Sequence, residues 1–241
     1  RALGSAALVM VEMTSPTPEG RITPACPGLW NDAQQAAFAR IVHFVHGSST
    51  AKIGLQLGHS GPKGSTRVGW EGTAEPLEAG NWPLLAASPI AYGAQNQTPA
   101  AMTRADMDRV TAAFVDSARR AVACGFDWLE LHCAHGYLLA SFLSPATNQR
   151  TDEYGGSLDN RCRYPLEVLT ALRAVWPADK PLSVRISAHD WLQEGQGNTA
   201  ADAIAIARLF KAAGADLIDV SSGQTTRDSR PVYGRMYQTP F

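Results

Sequence analysis

AVACGFDWLELHC, residues 121–133, joins the end of a helix to a short apolar strand through a single glycine. The same arrangement recurs twice, as RALGSAALVMVEM (1–13) and KAAGADLIDVSSG (211–223). Glycine after a helix takes the left-handed conformation without a Cβ penalty, so Gly4, Gly125 and Gly214 read as helix stops. A strand that follows at once, three times over, implies parallel β-α units.

Two further strands read as AKIGLQLG (51–58) and PLSVRIS (181–187). Helix starts are marked by Asn31 or Asp32, by Thr103 with Asp106, and by Thr199 with Asp202. These predict helices over 32–46 closed by Gly47, over 104–124 and over 200–213. A fourth lies between Leu158 and Trp176, where Pro165 is compatible only with the first turn.

Strand parity separates a barrel from a doubly wound sheet. The apolar sets are Ile53, Leu55 and Leu57, then Leu129 and Leu131, then Leu182, Val184 and Ile186. The opposite faces carry Gly54, Gln56 and Gly58, then Trp128, Glu130 and His132, then Ser183, Arg185 and Ser187. Strands of a doubly wound sheet are covered on both faces and read as apolar throughout. Barrel strands can turn polar groups inward near the mouth. The expectation is an α/β chain with a (β/α)8 TIM-barrel fold, here incomplete, as one domain over 1–241. Five strands are legible and eight are needed. Two long inserts, roughly 59–102 and 134–158, take up the remaining length, and loops of that size are usually functional.

The 241 residues carry a formal net charge of −1, which offers no field for nucleic acid or an anionic membrane surface. Cys26, Cys124, Cys133 and Cys162 form no C-x-x-C pair, so a reducing, cytoplasmic setting is the simpler expectation. The apolar run AALVMVEM is too short to span a bilayer.

The polar stretch ELHCAHGYLLASFLSPATNQRTDEYGGSLDNR (130–161) follows one of the strands. On spacing alone, His132 and His135, three apart, favour a metal pair or an ordinary packed pair over a carbonyl-binding one. With VEMTSPTPEGRITP, GLQLGHSGPKGS and PLSVRISAHDW in the same order, the chain resembles the old yellow enzyme family of FMN-dependent ene-reductases. Within it, GLQLGHSGPKGSTRVGWEG and GNWPLLAASPIAYG resemble the reductase part of bifunctional aromatic acyl-CoA monooxygenase/reductase proteins.

The resemblance implies a (β/α)8 barrel of which this chain carries strands two to six. The first, seventh and eighth strands, and with them the FMN phosphate loops, would lie elsewhere. It implies FMN as cofactor and NAD(P)H as reductant. It also implies hydride delivery to the activated C=C of an α,β-unsaturated carbonyl or acyl-CoA thioester. His132 and His135 match the pair that binds the substrate carbonyl oxygen, where donors stabilise developing negative charge. Tyr137 matches a residue bordering the substrate that donates the α-proton.

Gln56 matches the carboxamide on the flavin pyrimidine edge, and Arg185 the cation near N1 and C2=O. Ser15 occupies the position at the end of the first legible strand that approaches the ring. An ion pair of Arg185 with Glu130 is the structural alternative for that arginine. The family's usual HAGR is replaced by His59-Ser60-Gly61-Pro62-Lys63. Asn148, Arg150, Asp152, Tyr154, Asn160 and Arg161 read as loop architecture around Gly155-Gly156. A homo-oligomer or a fusion to a monooxygenase domain are the assemblies consistent with the resemblance. Two alternatives remain at this point: a metal-dependent barrel hydrolase using His132 and His135, and a barrel fragment without catalysis.

Overall fold

A computed structural model describes residues 1–72 and 74–241. The elements run in the order β1 (Leu8–Thr14), α1 (Asp32–Ser48), β2 (Lys52–Leu57), β3 (Leu85–Ala86), β4 (Ala100–Ala101), α2 (Arg104–Cys124), β5 (Trp128–Cys133), α3 (Leu138–Leu143), α4 (Leu158–Arg173), β6 (Leu182–Ser187), α5 (Ala200–Ala212) and β7 (Leu217–Ser221).

The main sheet is β1-β2-β5-β6-β7, and every pairing is parallel. Spatial order equals chain order. A doubly wound sheet would reverse that order at a switch point, so this is a partial TIM barrel. The helices α1, α2, α4 and α5 pack side by side over one face. Between helices and sheet lies the core, with Phe38, Val42, Met107, Phe114, Leu169, Leu172, Ile206 and Phe210 against the apolar strand residues that face the helices.

Register lines the apolar residues into rows, Leu55 beside Leu129 beside Leu182, and Leu57 beside Leu131 beside Val184 beside Ile218. The other face carries its own rows. Gln56, Glu130 and Ser183 are neighbours, as are His132, Arg185 and Asp219, then Ser187 and Ser221. Two aspartates brace the strand starts in the same way. Asp127 accepts the Ile53 N–H at 2.9 Å and Asp216 accepts the Leu182 N–H at 2.8 Å, each reaching across to the preceding strand of the sheet.

The helix signals hold with three corrections. Thr103/Asp106 and Thr199/Asp202 form capping boxes, and Gly125 and Gly214 are left-handed. Gly47 instead lies inside α1, whose stop is the extended Ser49. In RALG a 3-10 turn covers Ala2–Gly4, and Ser5, not Gly4, takes the positive φ of 69°. Pro165 sits well past the first turn of α4, against expectation. Its ring is buried in the core, and that packing compensates for one missing N–H of the helical ladder.

Both inserts contain structure. Residues 59–102 hold a 3-10 turn at Gly61–Lys63 and the parallel pair β3–β4. Residues 134–158 hold α3, buried along its whole length. The turn glycine Gly61, at φ 58°, lies so close to Leu138 that a Cβ would come within 2.6 Å of its backbone nitrogen. Leu138 N donates to the His59 carbonyl at 3.0 Å, which ties the loop after β2 to the start of α3.

Asn148, Arg150, Tyr154 and Arg161 serve the second insert as architecture. Asn148 bonds the Phe142 and Tyr154 carbonyls, and Arg150 those of Ala87 and Met102. Arg161 bonds the Leu143 and Gly156 carbonyls, while Tyr154 reaches Glu167.

Candidate active site

The polar face of the sheet begins with a hydrogen-bond chain across three strands. Trp128 Nε1 donates to Ser183 Oγ at 2.8 Å, and Ser183 Oγ donates to Glu130 Oε2 at 2.8 Å. Gln56 Nε2 donates to Glu130 Oε1, also at 2.8 Å. Burial pushes the Glu130 carboxyl above the usual carboxylate range, against the pull of the Gln56 and Ser183 bonds. Both carboxylate oxygens are thereby occupied, and Arg185 pairs elsewhere. Its Nε lies 3.4 Å from Asp219 Oδ2, its register neighbour on β7. That separation is an ionic contact and not an aligned hydrogen bond, because Arg185 Nε has no hydrogen-bond partner. The expected alternative pairing of Arg185 with Glu130 does not form.

One row nearer the strand ends, His132 projects from β5, and the chain turns back immediately after it. His135 has φ 61° and Gly136 φ 71°, two left-handed residues in succession. Glycine is required at the second, since a Cβ there would approach Thr225 O to 2.4 Å. The turn brings three rings together. The His132 ring centroid lies 5.1 Å from that of His135 and 4.9 Å from that of Tyr137.

The hydrogen bonds assign the tautomers. Ala134 N–H donates to His132 Nδ1, so the His132 proton sits on Nε2. Nε2 then donates to His135 Nδ1 at 3.3 Å, and His135 Nε2–H donates to Ser221 Oγ at 2.6 Å.

Burial, the neighbouring His135 and the Arg185 charge hold His132 well below the usual imidazole range. Burial first, then Arg185 and Lys63, push His135 down to about 3. Both rings are therefore neutral N–H donors at pH 7. Burial pushes the Tyr137 phenol up to about 12, so it keeps its proton.

His135 is held from several strands at once. Its N–H lies 2.9 Å from Ser187 Oγ at the end of β6, and its ring meets Ser221 on β7. Its carbonyl accepts from Lys63 Nζ at 2.8 Å. Lys63 is buried, stands over the rings of Tyr92 and Tyr137 at 4.4 and 4.9 Å, and is pushed down to about 7 by burial and by Arg227.

Gln56, Arg185, His132, His135 and Tyr137 thus belong to one face and one mouth. Ser15 does not join them through its hydroxyl, which donates to Thr17 O at 2.6 Å, while its backbone pairs with Pro27 and Leu29. Lys63, Ser187, Asp219 and Ser221 belong to the site but were not singled out from sequence. The parity applied to the other strands, extended to LIDVS, would have placed Asp219 and Ser221 on the polar face of the sheet.

Residues 1–235 match the model of the NADH:flavin oxidoreductase / NADH oxidase family. The chain belongs to this family. Among curated members of the NADH:flavin oxidoreductase family, the NADPH dehydrogenase of Geobacillus thermodenitrificans is 42% identical over 243 residues, 100% of this chain and 65% of the relative. An NADH:flavin oxidoreductase of Gibberella zeae is 42% identical over 229 residues, 90% of this chain and 55% of the relative. The chain thus spans 55 and 65% of the length of these two relatives. A 2-naphthoyl-CoA reductase solved with 2-naphthoyl-CoA superposes with a TM-score of 0.82 at 25% identity, covering 96% of this chain and 35% of that one. Morphinone reductase superposes with a TM-score of 0.79 at 26% identity, covering 98% and 64%.

Proposed function

We propose that this chain forms, as one incomplete barrel domain, the ring-binding and substrate-facing part of an FMN-dependent NAD(P)H oxidoreductase. The enzyme would reduce the activated C=C of an α,β-unsaturated carbonyl or thioester. The observation that carries this reading is the cluster of two neutral imidazoles and one protonated phenol at the barrel mouth, beside the Arg185 cation.

The residues present suit an isoalloxazine ring. Among the described residues, Gln56 Oε1 accepts no hydrogen bond and Arg185 Nε is buried without one. An acceptor and a cationic donor on one polar face match the amide edge of the flavin. When bound, FMN would supply the hydride.

The protein side chains would do the rest. His132 would turn its Nε2–H from His135 to the substrate oxygen, and His135 would turn its Nε2–H there from Ser221 Oγ, placing N–H donors where negative charge grows. Their neutrality means that the substrate is bound without displacing an ion pair. Tyr137 would give its hydroxyl proton to the α-carbon. Arg185 would balance charge at the pyrimidine edge, and Gln56 would fix that edge in place. Ser15 enters only as a small residue near the ring.

A thioester substrate is supported by the likeness to the 2-naphthoyl-CoA reductase. A cytoplasmic setting is supported by four unpaired thiols. No helix among the described residues is long and apolar enough to cross a membrane.

The metal-hydrolase alternative loses ground because the family is a flavin oxidoreductase family. In addition, no third ligand joins the His132–His135 pair among the described residues. In the full-length protein, His132→Ala and His135→Ala should each lower enone turnover by on the order of 100- to 1000-fold, the usual loss for one such donor. Near-normal turnover in either variant would remove the carbonyl-binding role. A chain that takes up no flavin on titration with FMN would favour the non-catalytic alternative.

A further inference from the structure

Lys63 lies in the part of the chain where the family motif breaks, in the 3-10 turn Gly61–Lys63 after β2. Its ammonium donates to two backbone carbonyls, His135 O at 2.8 Å and Gln224 O at 3.3 Å. Those acceptors sit on different loops, one after β5 and one after β7. Both residues are non-glycine and both are left-handed, at φ 61° each. Side chains with a Cβ rarely adopt that conformation, and they persist in it only where the surroundings fix them. Here the surroundings are specific. The intervening Gly136 is packed so tightly that a Cβ would meet Gln224 O at 2.8 Å and Thr225 O at 2.4 Å. Two turns are therefore pressed together backbone to backbone, and one buried amine, Lys63 Nζ, bonds the carbonyl of a left-handed residue in each.

We propose that Lys63 is a positioning residue: its Nζ staples the left-handed turns at His135 and Gln224 and so fixes the direction of the His135 imidazole. The inference rests on the proposed carbonyl-binding role of His135 for its effect on catalysis, but not for its effect on geometry. Ser187 makes a second cross-link between the same two loops, because its Oγ accepts the His135 N–H and donates to Gly223 O at 3.2 Å, but it does not engage the carbonyls of the two left-handed residues. Ser187 holds the His135 N–H and Ser221 holds its ring, whereas its carbonyl is bound by Lys63. The lysine is also enclosed by the Tyr92 and Tyr137 rings, which leaves its ammonium between the aromatic faces and the two carbonyls.

The test uses Lys63→Met, which keeps the length of the side chain and removes the donor, together with Lys63→Arg, which keeps donors. It is made in the full-length protein loaded with FMN. Turnover of a cyclic enone, binding of the corresponding saturated ketone, and the imidazole nitrogen resonances of His135 are recorded for each.

Lys63→Met should lower kcat by on the order of 100-fold, the scale of a misplacement of about 1 Å. It should weaken ketone binding and shift the His135 resonances, and Lys63→Arg should recover most of the loss. Gln224→Gly, which relaxes the second turn, should recover part of the stability lost in Lys63→Met while adding little to the wild type. If Lys63→Met does not fold, that double variant and Lys63→Arg carry the same comparison.

Unchanged His135 resonances with unchanged kcat in Lys63→Met would overturn the proposal. So would a rise in KM alone, which would make Lys63 a substrate contact. If the wild type fails to reduce enones but its His135 resonances still shift in Lys63→Met, the staple stands and the reductase reading falls.

Discussion

Gln56 and Glu130 face each other across β2 and β5 in direct register, with the carboxamide Nε2 2.8 Å from the carboxylate Oε1. Ser183 holds the other carboxylate oxygen from the next strand. The acid thus acts as a double acceptor that aims the Gln56 amide and leaves Arg185 to Asp219.

Glu130→Gln tests that arrangement. A carboxamide presents N–H groups at one end, so either Gln56 or Ser183 would face a donor with a donor. The variant should lose about 1–3 kcal/mol, the cost of one unsatisfied buried polar group, as read by denaturant unfolding near pH 7. The pH dependence has a defined sign. The folded carboxyl is raised above 4.5, so its protonated form is favoured by folding. Its contribution is fully present below 4.5 and is lost as pH rises through the raised value. The stability of the wild type relative to Glu130→Gln should therefore fall across that interval.

Arg185 and Asp219 should tune bound FMN in opposite directions. The reduced cofactor carries negative charge and the oxidised ring does not, so Arg185→Ala should lower the midpoint potential. Asp219→Asn frees the arginine from its counter-charge and should raise it. Spectroelectrochemical titration of the two variants reads both signs at once. Equal signs, or no change with FMN still seated, would confine Arg185 to a structural role.

Lys63 gives a second pH signature. Its folded value of about 7 lies below the ordinary 10.5, so charging the buried amine costs stability. The penalty is absent above 10.5 and complete once pH has fallen through 7. Between those limits the stability of the wild type relative to Lys63→Met should rise with pH. A flat difference would mean that the amine is charged throughout.

Gly136→Ala and Gly156→Ala separate strain from crowding. Both positions are left-handed, at φ 71° and 78°. Nothing lies within 4 Å of a Cβ at Gly156, so its cost should be the conformational penalty alone, about 1–2 kcal/mol. At Gly136 the Thr225 carbonyl blocks the new atom, so the loss should be clearly larger and accompanied by weaker substrate binding. Parallel unfolding curves check the difference.

Much of this was written in the sequence. Caps at Thr103 and Thr199 and stops at Gly125 and Gly214 marked α2 and α5, because each satisfies backbone groups that a helix end leaves open. Alternation placed Gln56, Glu130, His132 and Arg185 on one face, since a strand has a period of two. The segment α3 escaped because LLASFL is buried on every side, which erases the amphipathic period by which a helix is read. The partner of Arg185 escaped because register, not composition, decides which acid is its neighbour. The roles of Lys63 and Ser15 depend on carbonyls of distant loops or of their own turn, and no side-chain pattern reports those.

The strand order carries a further consequence. Each strand of the main sheet lies beside the previous strand of that sheet, β1 then β2, β5, β6 and β7. A chain emerging from the ribosome could therefore add one strand and one covering helix at a time, always onto a surface already in place. Within this sheet no strand has to be threaded between two others. Folding of this kind proceeds through closures between successive strands of the sheet, and the loops that carry Lys63, His135 and Gln224 would meet only once β7 is in place.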